Sequence, residues 1–479
     1  MILRVINHPY EFDMKNLCIT FFPHEKIRLE GEEDPVVVTT RRETDGSFFV
    51  SAKVYDVYRE TTAKPEPADE EHLVLSVTLY RLLSGILGFA PPWGVLYGVR
   101  PAKLMHRLCA QMGDDAAVAH FQTAFLTQKS KAELAHEVML HENRSIARSG
   151  PKSFSLYVSI PFCPTRCAYC SFVSHSIEKT HKLMTPYVNL LLRELEETAK
   201  YTKELGLELA TVYFGGGTPT TLSAQDLGRI FSTIEQNFDL SHLMEYTVEA
   251  GRPDTVTRER LEVIRAAGVQ RISINPQSFN DKVLEAIGRR HTAQQTLDAF
   301  ALARDCGFDH INMDFIAGLP EDDLPSFQRS IQTALDLQAE SITVHTLALK
   351  TSAYMVTREQ TFDLKDRLTV SNMVDYAGQT LHGAGYYPYY MYRQSKSLGN
   401  LENVGWCKPG YDCLYNVYMM DETHTVLAVG AGAVTKLRGQ NSGMIQRIYN
   451  YKYPYEYIRD FDTLLERKKR IPGFYAEYD

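Results

Sequence analysis

The sequence is short of positive charge. Its 479 residues include 51 Lys and Arg against 59 Asp and Glu, which leaves a formal net charge of −8. Proteins that bind nucleic acids by neutralising phosphates carry the opposite balance. The composition therefore argues against a nucleic-acid partner.

Long apolar runs are also missing. The longest one, His72–Phe89, is interrupted by Arg81 and is shorter than a bilayer span, so it favours an amphipathic core helix. Arg4, His8 and Glu11 interrupt any apolar core near the N-terminus, and no signal peptide is expected. Eight cysteines spread over this length do not form the dense pattern of a secreted disulfide framework. We therefore expect a cytoplasmic protein with reduced thiols.

The chain is too long for one ordinary core, and its residue pattern divides into three regions. Residues 1–150 combine β-rich runs with a long helical pattern and predict an N-terminal α+β domain. Residues 151–350 alternate strands and helices. Residues 351–479 lose this rhythm and are expected to form a C-terminal region that caps the substrate side. The β-rich runs of the first region are Leu17–Phe22, Val36–Thr40 and Phe48–Tyr55, and its helical pattern runs from Glu70 to Arg148.

The middle region contains six candidate strands. They are Leu156–Ile160, Thr211–Phe214, Tyr246–Ala250, Arg271–Asn275, Ile311–Ile316 and Ser341–Leu347. Helical runs lie between them, and Ser223–Asp226 and Thr292–Gln295 have the pattern of capping boxes. Six β-α units in series predict a parallel sheet wrapped by helices, and six rather than eight units indicate an incomplete, laterally open barrel. Ligands bind at the C-terminal ends of the strands in such folds.

Three cysteines follow the first of these strands with Cys-x3-Cys-x2-Cys spacing: Cys163, Cys167 and Cys170. Three thiolates on one short loop can bind three irons of a [4Fe–4S] cluster and leave the fourth iron open to a small molecule. The alternatives are three unpaired thiols or half of a zinc site. Zinc sites usually have two paired arms, and Cys407 and Cys413 are too widely spaced for a typical second arm.

The cysteine spacing and several other motifs resemble the radical S-adenosylmethionine (SAM) superfamily. The matching positions are Tyr157, Tyr169, Gly215–Pro219, Glu249, Gln277, Gly288–His291 and Asp314. Three further motifs resemble the oxygen-independent coproporphyrinogen III dehydrogenases of the HemZ type: Leu96–Pro101, Val248–Asp254 and Gly399–Gly405. The resemblance implies an α/β fold with a partial (β/α)6 barrel, a [4Fe–4S] cluster held by the three cysteines, and SAM as the second cofactor.

The resemblance also assigns SAM contacts to individual residues. They are Tyr157, Tyr169, Gly216, Gly217, Thr218, Glu249, Gln277, Arg289 and Asp314. A guanidinium suits the carboxylate of SAM geometrically, so Arg289 is expected there, with Arg290 as the alternative. Other interpretations stay open: glycines also serve tight turns, a strand-end carboxylate such as Glu249 can be merely solvated, and Tyr157 and Tyr169 can be core aromatics.

The reaction implied by the resemblance converts two propionates of coproporphyrinogen III to vinyl groups and gives protoporphyrinogen IX, a step of haem biosynthesis. A tetrapyrrole substrate and a small reductant protein, such as a flavodoxin or ferredoxin, are the implied partners. A substrate with four carboxylates needs cations, and the candidates in the C-terminal region are Arg393, Lys396, Lys436 and Arg438. Ordinary solvated charge is the alternative for each of them.

One position weakens the transfer of this mechanism. Better-known dehydrogenases of the branch have a further cysteine two positions after the third, and Phe172 stands there in this sequence. Two other functions therefore remain open. One is a different radical SAM reaction on a tetrapyrrole, such as methylation or haem ring opening, and the other is a haem chaperone.

Overall fold

The computed structural model describes residues 1–23, 25–98, 100–170, 175–348, 364–394 and 397–479. The chain begins with a four-stranded sheet in the order β1-β2-β3-β4 and two helices that pack on it. Strands β1 and β2 are parallel because α1 crosses between them, and the remaining pairs are antiparallel. The elements are β1 (Ile2–Ile6), α1 (Glu11–Phe21), β2 (Val36–Arg42), β3 (Phe48–Val54), β4 (Val57–Ala63) and α2 (Glu71–Leu87).

One of the three predicted β runs is wrong. Leu17–Phe22 belongs to α1 up to Phe21, because its apolar residues continue a helical period. Met14, Leu17, Cys18 and Phe21 recur three and four positions apart, and all four are buried. The two other runs are confirmed as β2 and β3.

Three helices follow as a separate layer, so the helical pattern predicted between Glu70 and Arg148 is confirmed. They are α3 (Pro101–Met112), α4 (Asp114–Thr123) and α5 (Lys129–Ile146). Across the described part of the chain, no helix is both long enough and apolar enough to cross a membrane.

All six predicted strands of the middle region form, and they pair in parallel in the order β12-β11-β10-β9-β8-β5. The two capping boxes also fall at helix starts, since Ser223 and Thr292 each accept a hydrogen bond from the third residue of the helix that follows. The elements are β5 (Ser153–Ile160), β6 (Phe162–Cys163), β7 (His175–Ser176), α6 (Ile177–Leu205), β8 (Glu208–Gly216), α7 (Ala224–Asn237), β9 (Glu245–Glu249), α8 (Arg258–Ala266), β10 (Arg271–Ser273), α9 (Asp281–Ala286), α10 (Ala293–Asp305), β11 (His310–Ala317), α11 (Leu324–Asp336) and β12 (Ser341–Thr346).

The two faces of this sheet differ in polarity. Side chains such as Ile272, Met313 and Phe315 pack against helix residues such as Leu227 and Phe327 in the main core. The alternating positions point to the opposite face, because successive side chains of a strand project to opposite sides. This polar face carries Ser155, Thr211, Glu245, Thr247, Glu249, Arg271, Ser273, His310, Asn312, Asp314, Ser341, Thr343 and His345.

The C-terminal region extends the sheet at both edges instead of forming a separate cap. Strand β14 pairs antiparallel with β12 and carries β13 outside it, while β15 pairs parallel with β5 and is followed by β16 and β17. Both edges of the parallel sheet thereby gain hydrogen-bonding partners. The elements are α12 (Leu364–Gly383), β13 (Tyr387–Arg393), β14 (Glu402–Cys407), α13 (Leu414–Asp421), β15 (Thr425–Val429), β16 (Val434–Arg438), β17 (Ile445–Tyr449), α14 (Pro454–Arg459), α15 (Phe461–Lys468) and α16 (Arg470–Tyr478).

A buried ion pair ties the last helices to the parallel sheet. Lys468 Nζ lies 2.8 Å from Glu194 Oε1, and both side chains are almost fully enclosed. Glu194 also accepts hydrogen bonds from the backbone N–H of Gly430, the Asn450 amide and the Tyr457 hydroxyl. Both oxygens of the Glu194 carboxylate are thus fully hydrogen-bonded, and these bonds offset the desolvation cost of the buried ion pair.

Replacing Lys468 with Ala should lower stability strongly, because it leaves the Glu194 carboxylate buried without its cation. We expect a loss of about 3–5 kcal/mol, seen as a lower urea midpoint in unfolding followed by circular dichroism. Lys469→Ala is the matched control, since Lys469 pairs with Glu466 on the surface, and it should cost about 0–1 kcal/mol. Equal midpoints for the two variants would contradict this account of the anchor.

Candidate cluster and cofactor site

The three cysteines lie on a loop that is clamped by the glycine motif after β8. The backbone N–H of Gly217 donates to the Ile160 carbonyl at 2.7 Å, and that of Thr218 donates to the Phe162 carbonyl at 2.8 Å. A Cβ on Gly217 would lie 2.6 Å from the Phe162 oxygen and 3.0 Å from Cys163 Sγ. Only glycine fits so close an approach. The glycine motif therefore serves the cysteine loop directly, whatever else it binds.

The other side of the cysteine loop rests on the segment after β10. The backbone N–H of Ala168 donates to the Ile287 carbonyl at 2.9 Å, and the Thr165 hydroxyl donates to the Gly288 carbonyl at 3.3 Å. Cys167 is buried, while Cys163 and Cys170 are partly exposed. The loop is thus held from two sides, by the segment that follows β8 and by the segment that follows α9.

Two buried arginines face this loop. Arg289 donates to the Asn275 carbonyl at 2.6 Å and to the Tyr169 hydroxyl at 3.3 Å, and the nearby Cys167 adds to the electrostatic interactions that raise its pKa. Arg252 donates to Cys167 Sγ at 3.7 Å. Arg290, the alternative to Arg289, points outward and pairs with Glu178 on the surface. The structure therefore places Arg289 at the site and Arg290 away from it.

Arg252 is a residue that the sequence reasoning missed. It stands inside the Val248–Asp254 motif, but no role was assigned to its side chain. The signal available in the sequence was the Arg-x-Asp spacing, because Asp254 binds the Arg252 guanidinium through two hydrogen bonds of 3.0 Å.

Glu249 and Asp314 lie near each other on the polar face. The Tyr213 hydroxyl donates to Glu249 Oε1 at 2.6 Å, and the Asn312 amide donates to Asp314 Oδ1 at 2.7 Å. Burial raises the pKa of Glu249 to about 7. Burial alone would also raise the pKa of Asp314, but contacts with His345 and Asn312 outweigh it and lower that pKa. Asp314 does not end its strand, since β11 continues to Ala317.

Gln277 is held in an unusual backbone conformation between these residues. Its φ of +66° lies in the left-handed region, which is rare for a side chain other than glycine. Its N–H donates to the Asp314 carbonyl at 2.9 Å, and its carbonyl accepts from Ile316 N–H at 3.2 Å. Two backbone bonds thus fix a conformation of the kind that clusters at ligand sites.

Five buried polar atoms between Asn275 and His291 have no hydrogen-bond partner among the described residues. They are Asn275 Oδ1, Gln277 Oε1, Arg289 Nε and both ring nitrogens of His291. Buried polar groups are almost always paired in folded proteins. A polar ligand such as SAM would supply partners here, since its carboxylate suits Arg289 and its hydroxyls and amine suit the two amide oxygens. The residues present therefore fit the expected cofactor.

The two tyrosines assigned to the site have different surroundings. Tyr169 is the aromatic partner of Arg289 beside the cysteine loop. Tyr157 stacks with Tyr213 and Tyr415, with ring centroids 6.2 and 5.9 Å away. Tyr157 therefore belongs to an aromatic stack on the polar face.

The prediction that Arg393 holds a substrate carboxylate is wrong. Its side chain is buried, lies over the Trp93 ring at 5.1 Å, and donates to the carbonyls of Leu96, Gly98 and Asn400. Arg393 and its neighbour Tyr392 project to opposite faces of β13. Arg393 therefore points away from the polar face and donates to carbonyls inside the protein.

The structure does not bring Lys436 or Arg438 to the cofactor site, and their assignment to substrate stays a prediction. Both lie on β16, two strands away from β5, and both are engaged by protein acceptors. Lys436 Nζ pairs with Glu422 at 3.3 Å, and Arg438 donates to the Thr423 carbonyl at 2.8 Å. Lys396 lies outside the described residues, as does Phe172, and its assignment stays a prediction.

Five tyrosines precede Arg393 within seven positions, and two of them reach the polar face. Tyr390 and Tyr392 stack with centroids 6.2 Å apart, and the Tyr392 hydroxyl lies 3.3 Å from His345 Nδ1. His345 Nε2 lies in turn 3.9 Å from Asp314 Oδ2. The described part of the C-terminal region therefore contributes aromatic and hydroxyl groups beside the expected cofactor site.

The raised pKa of Glu249 predicts a pH dependence of SAM binding. An ionised carboxylate accepts hydrogen bonds from ribose hydroxyls and the neutral acid does so less well, so affinity is full above about pH 7 and falls below it. The fall should approach about tenfold per pH unit. Anaerobic calorimetry measures the affinity for SAM at each pH. Glu249→Gln should bind weakly with no such slope, whereas the exposed control Glu262→Gln should keep it. An unchanged slope in Glu249→Gln would contradict the assignment.

Comparison with known proteins identifies the family of the chain. Residues 157–334 match the radical SAM superfamily. The oxygen-independent coproporphyrinogen-III oxidase-like protein HemZ of Bacillus subtilis (strain 168) is 34% identical over 470 residues, which span 95% of this chain and 94% of the relative. The heme chaperone HemW of the same organism is 30% identical over 318 residues, or 64% of this chain and 79% of the relative.

A solved structure supports the fold. Coproporphyrinogen III oxidase (HemN) from Escherichia coli, described as a radical SAM enzyme, superposes with a TM-score of 0.51 at 21% identity over 68% of this chain and 72% of that chain. The prediction of a partial radical SAM barrel is confirmed, and so is the prediction of a [4Fe–4S] cluster and SAM as cofactors. The chain belongs to the radical SAM superfamily and, within it, to the family of oxygen-independent coproporphyrinogen-III oxidase-like proteins that includes HemZ.

Proposed function

We propose that this protein oxidatively decarboxylates the propionates of coproporphyrinogen III to vinyl groups, in the reducing cytoplasm and with electrons from a flavodoxin or ferredoxin. The observation that carries the proposal is the likeness to HemZ over nearly the whole chain, including the N-terminal and C-terminal regions. The HemW relative matches only about two thirds of it. Regions outside the common barrel usually decide what a shared core acts on.

Each propionate loses one hydrogen atom, CO2 and one electron in the proposed reaction. When held by Cys163, Cys167 and Cys170, the cluster would pass one electron from the reductant to SAM, and the cleavage of SAM to methionine would supply the radical chemistry that takes one hydrogen atom from a propionate. The hydrogen must leave the carbon two bonds from the carboxyl carbon, since only a radical there yields a vinyl group when the bond to CO2 breaks. One electron goes to an external acceptor. Two such rounds convert two propionates.

The chain's own residues have three tasks in this proposal. Cys163, Cys167 and Cys170 hold the cluster on a loop fixed from both sides. Glu249 and Gln277 hold SAM in one orientation, because surrounding contacts already fix the side chain of Glu249 and the backbone of Gln277. The tyrosines of β13 and α13 line the polar face and exclude water from the reacting atoms.

A second candidate function is haem binding without turnover. It is favoured by the 30% identity to the heme chaperone HemW over 79% of that relative's length. The two functions differ in whether SAM is cleaved when a tetrapyrrole is added.

An anaerobic single-turnover assay separates them. The protein is reconstituted with iron and sulfide, reduced with dithionite, freed of excess reductant, and mixed with SAM, coproporphyrinogen III and a one-electron acceptor. We expect 5′-deoxyadenosine, CO2 and vinyl products, detected by mass spectrometry. The parent protein should contain about four iron atoms per chain, and Cys163→Ala should lose most of this iron together with the activity. Cys306, a partly exposed cysteine after α10, gives the matched control. Cys306→Ala should keep both iron and activity. Tight haem binding with no substrate-dependent 5′-deoxyadenosine would favour the chaperone.

A further inference from the structure

The guanidinium of Arg252 lies beside Cys167, a buried cysteine of the cysteine loop. Its Nη1 lies 3.7 Å from Cys167 Sγ and 3.2 Å from the Thr165 hydroxyl. The residue is only 3% exposed. An arginine in a protein stays charged at all accessible pH values, so this site carries a permanent positive charge beside one thiolate.

The position of this guanidinium is fixed from both ends. Asp254 binds Nε and Nη2 through both carboxylate oxygens, which leaves Nη1 directed at the cysteine loop. The backbone is held as well, because the N–H and hydroxyl of Thr255 both donate to the Arg252 carbonyl, at 2.9 and 2.8 Å. This two-bond contact with Asp254 keeps Arg252 Nη1 in one place when the charge of a nearby group changes.

A fixed donor beside a cluster sulfur changes the energy of reduction. The cluster gains one negative charge when it is reduced, and a hydrogen bond or positive charge at a ligand sulfur favours that state. Few water molecules can screen the effect, since both Arg252 and Cys167 are buried. The reduced cluster is the form that the proposed reaction needs.

We propose that Arg252 is a positioning residue that raises the reduction potential of the [4Fe–4S] cluster through Cys167, and that Asp254 limits the size of this effect. The proposal rests on Cys167 being a cluster ligand, which the iron content of Cys167→Ala tests separately. It does not depend on which substrate the protein uses.

The two residues predict shifts of opposite sign. Arg252→Leu removes the donor and the charge, so the potential should fall by about 59 mV, equal to a tenfold lower ratio of reduced to oxidised cluster at a fixed potential. Asp254→Asn keeps the guanidinium but removes the opposing charge, so the potential should rise. Arg252→Lys keeps the charge without the fork and should fall between Arg252→Leu and the parent protein.

The measurement is a potentiometric titration of the reconstituted protein followed by electron paramagnetic resonance, without SAM. Arg260→Leu is the matched control, since Arg260 lies nearby and its guanidinium donates to the carbonyls of Leu222 and Thr255. Its potential should equal that of the parent protein. If Arg252→Leu loses its iron, the rise in Asp254→Asn still supports the proposal.

Two results would overturn it. Unchanged potentials in Arg252→Leu and Asp254→Asn at full iron content would show that the contact does not reach the cluster. Shifts of the same sign in both variants, or equal loss of iron from both, would show that the pair only builds the loop.

Discussion

Most groups on the polar face of the parallel sheet are hydrogen-bonded within the protein, and a run of unpaired groups toward the C-terminal ends of the strands marks the site. At the N-terminal ends, groups bond to one another, as in the 2.6 Å contact between Ser155 and Thr211 and the 3.1 Å contact between His310 and Ser341. Arg271 is an exception there, because its Nε and Nη1 are buried without a hydrogen-bond partner among the described residues. Tyrosines of β13 and α13 cover the middle. Partners are missing toward the C-terminal ends, around Gln277. Because an unpaired buried group costs about 1–3 kcal/mol, a bound cofactor stabilises the place that the protein leaves incomplete.

A second set of buried charges explains two sequence motifs. Arg393 joins the carbonyls of the Leu96–Pro101 motif to that of Asn400 in the Gly399–Gly405 motif. In the same place, Glu402 accepts hydrogen bonds from the Trp93 indole at 2.7 Å and from Lys131 at 2.6 Å. Removing one partner of such a network is costly, because the others stay buried. These motifs therefore dock the N-terminal region and its helices onto the β13–β14 edge, whose tyrosines reach the polar face.

The sequence was most informative where the signal is local. The regular alternation of strand-like and helical runs marked all six parallel strands, and short spacings marked the cysteine loop. It was uninformative about which way a side chain points across distant elements. Five tyrosines before Arg393 suggested a substrate cation, but its orientation depends on the register of β13 with β14 and on carbonyls almost 300 residues away. Arg252 was missed for the same reason, since its contact with Cys167 spans 85 positions.

The central claim, that a radical formed at this site attacks a propionate, is tested most directly by isotope transfer. Coproporphyrinogen III is prepared with deuterium on the propionate carbon attached to the ring, and 5′-deoxyadenosine is isolated after one anaerobic turnover. The account predicts 5′-deoxyadenosine that carries one deuterium, together with loss of labelled CO2 when the carboxyl carbon is also labelled. Deuterium-free 5′-deoxyadenosine formed while vinyl products accumulate, or no cleavage of SAM while the tetrapyrrole stays bound, would contradict it.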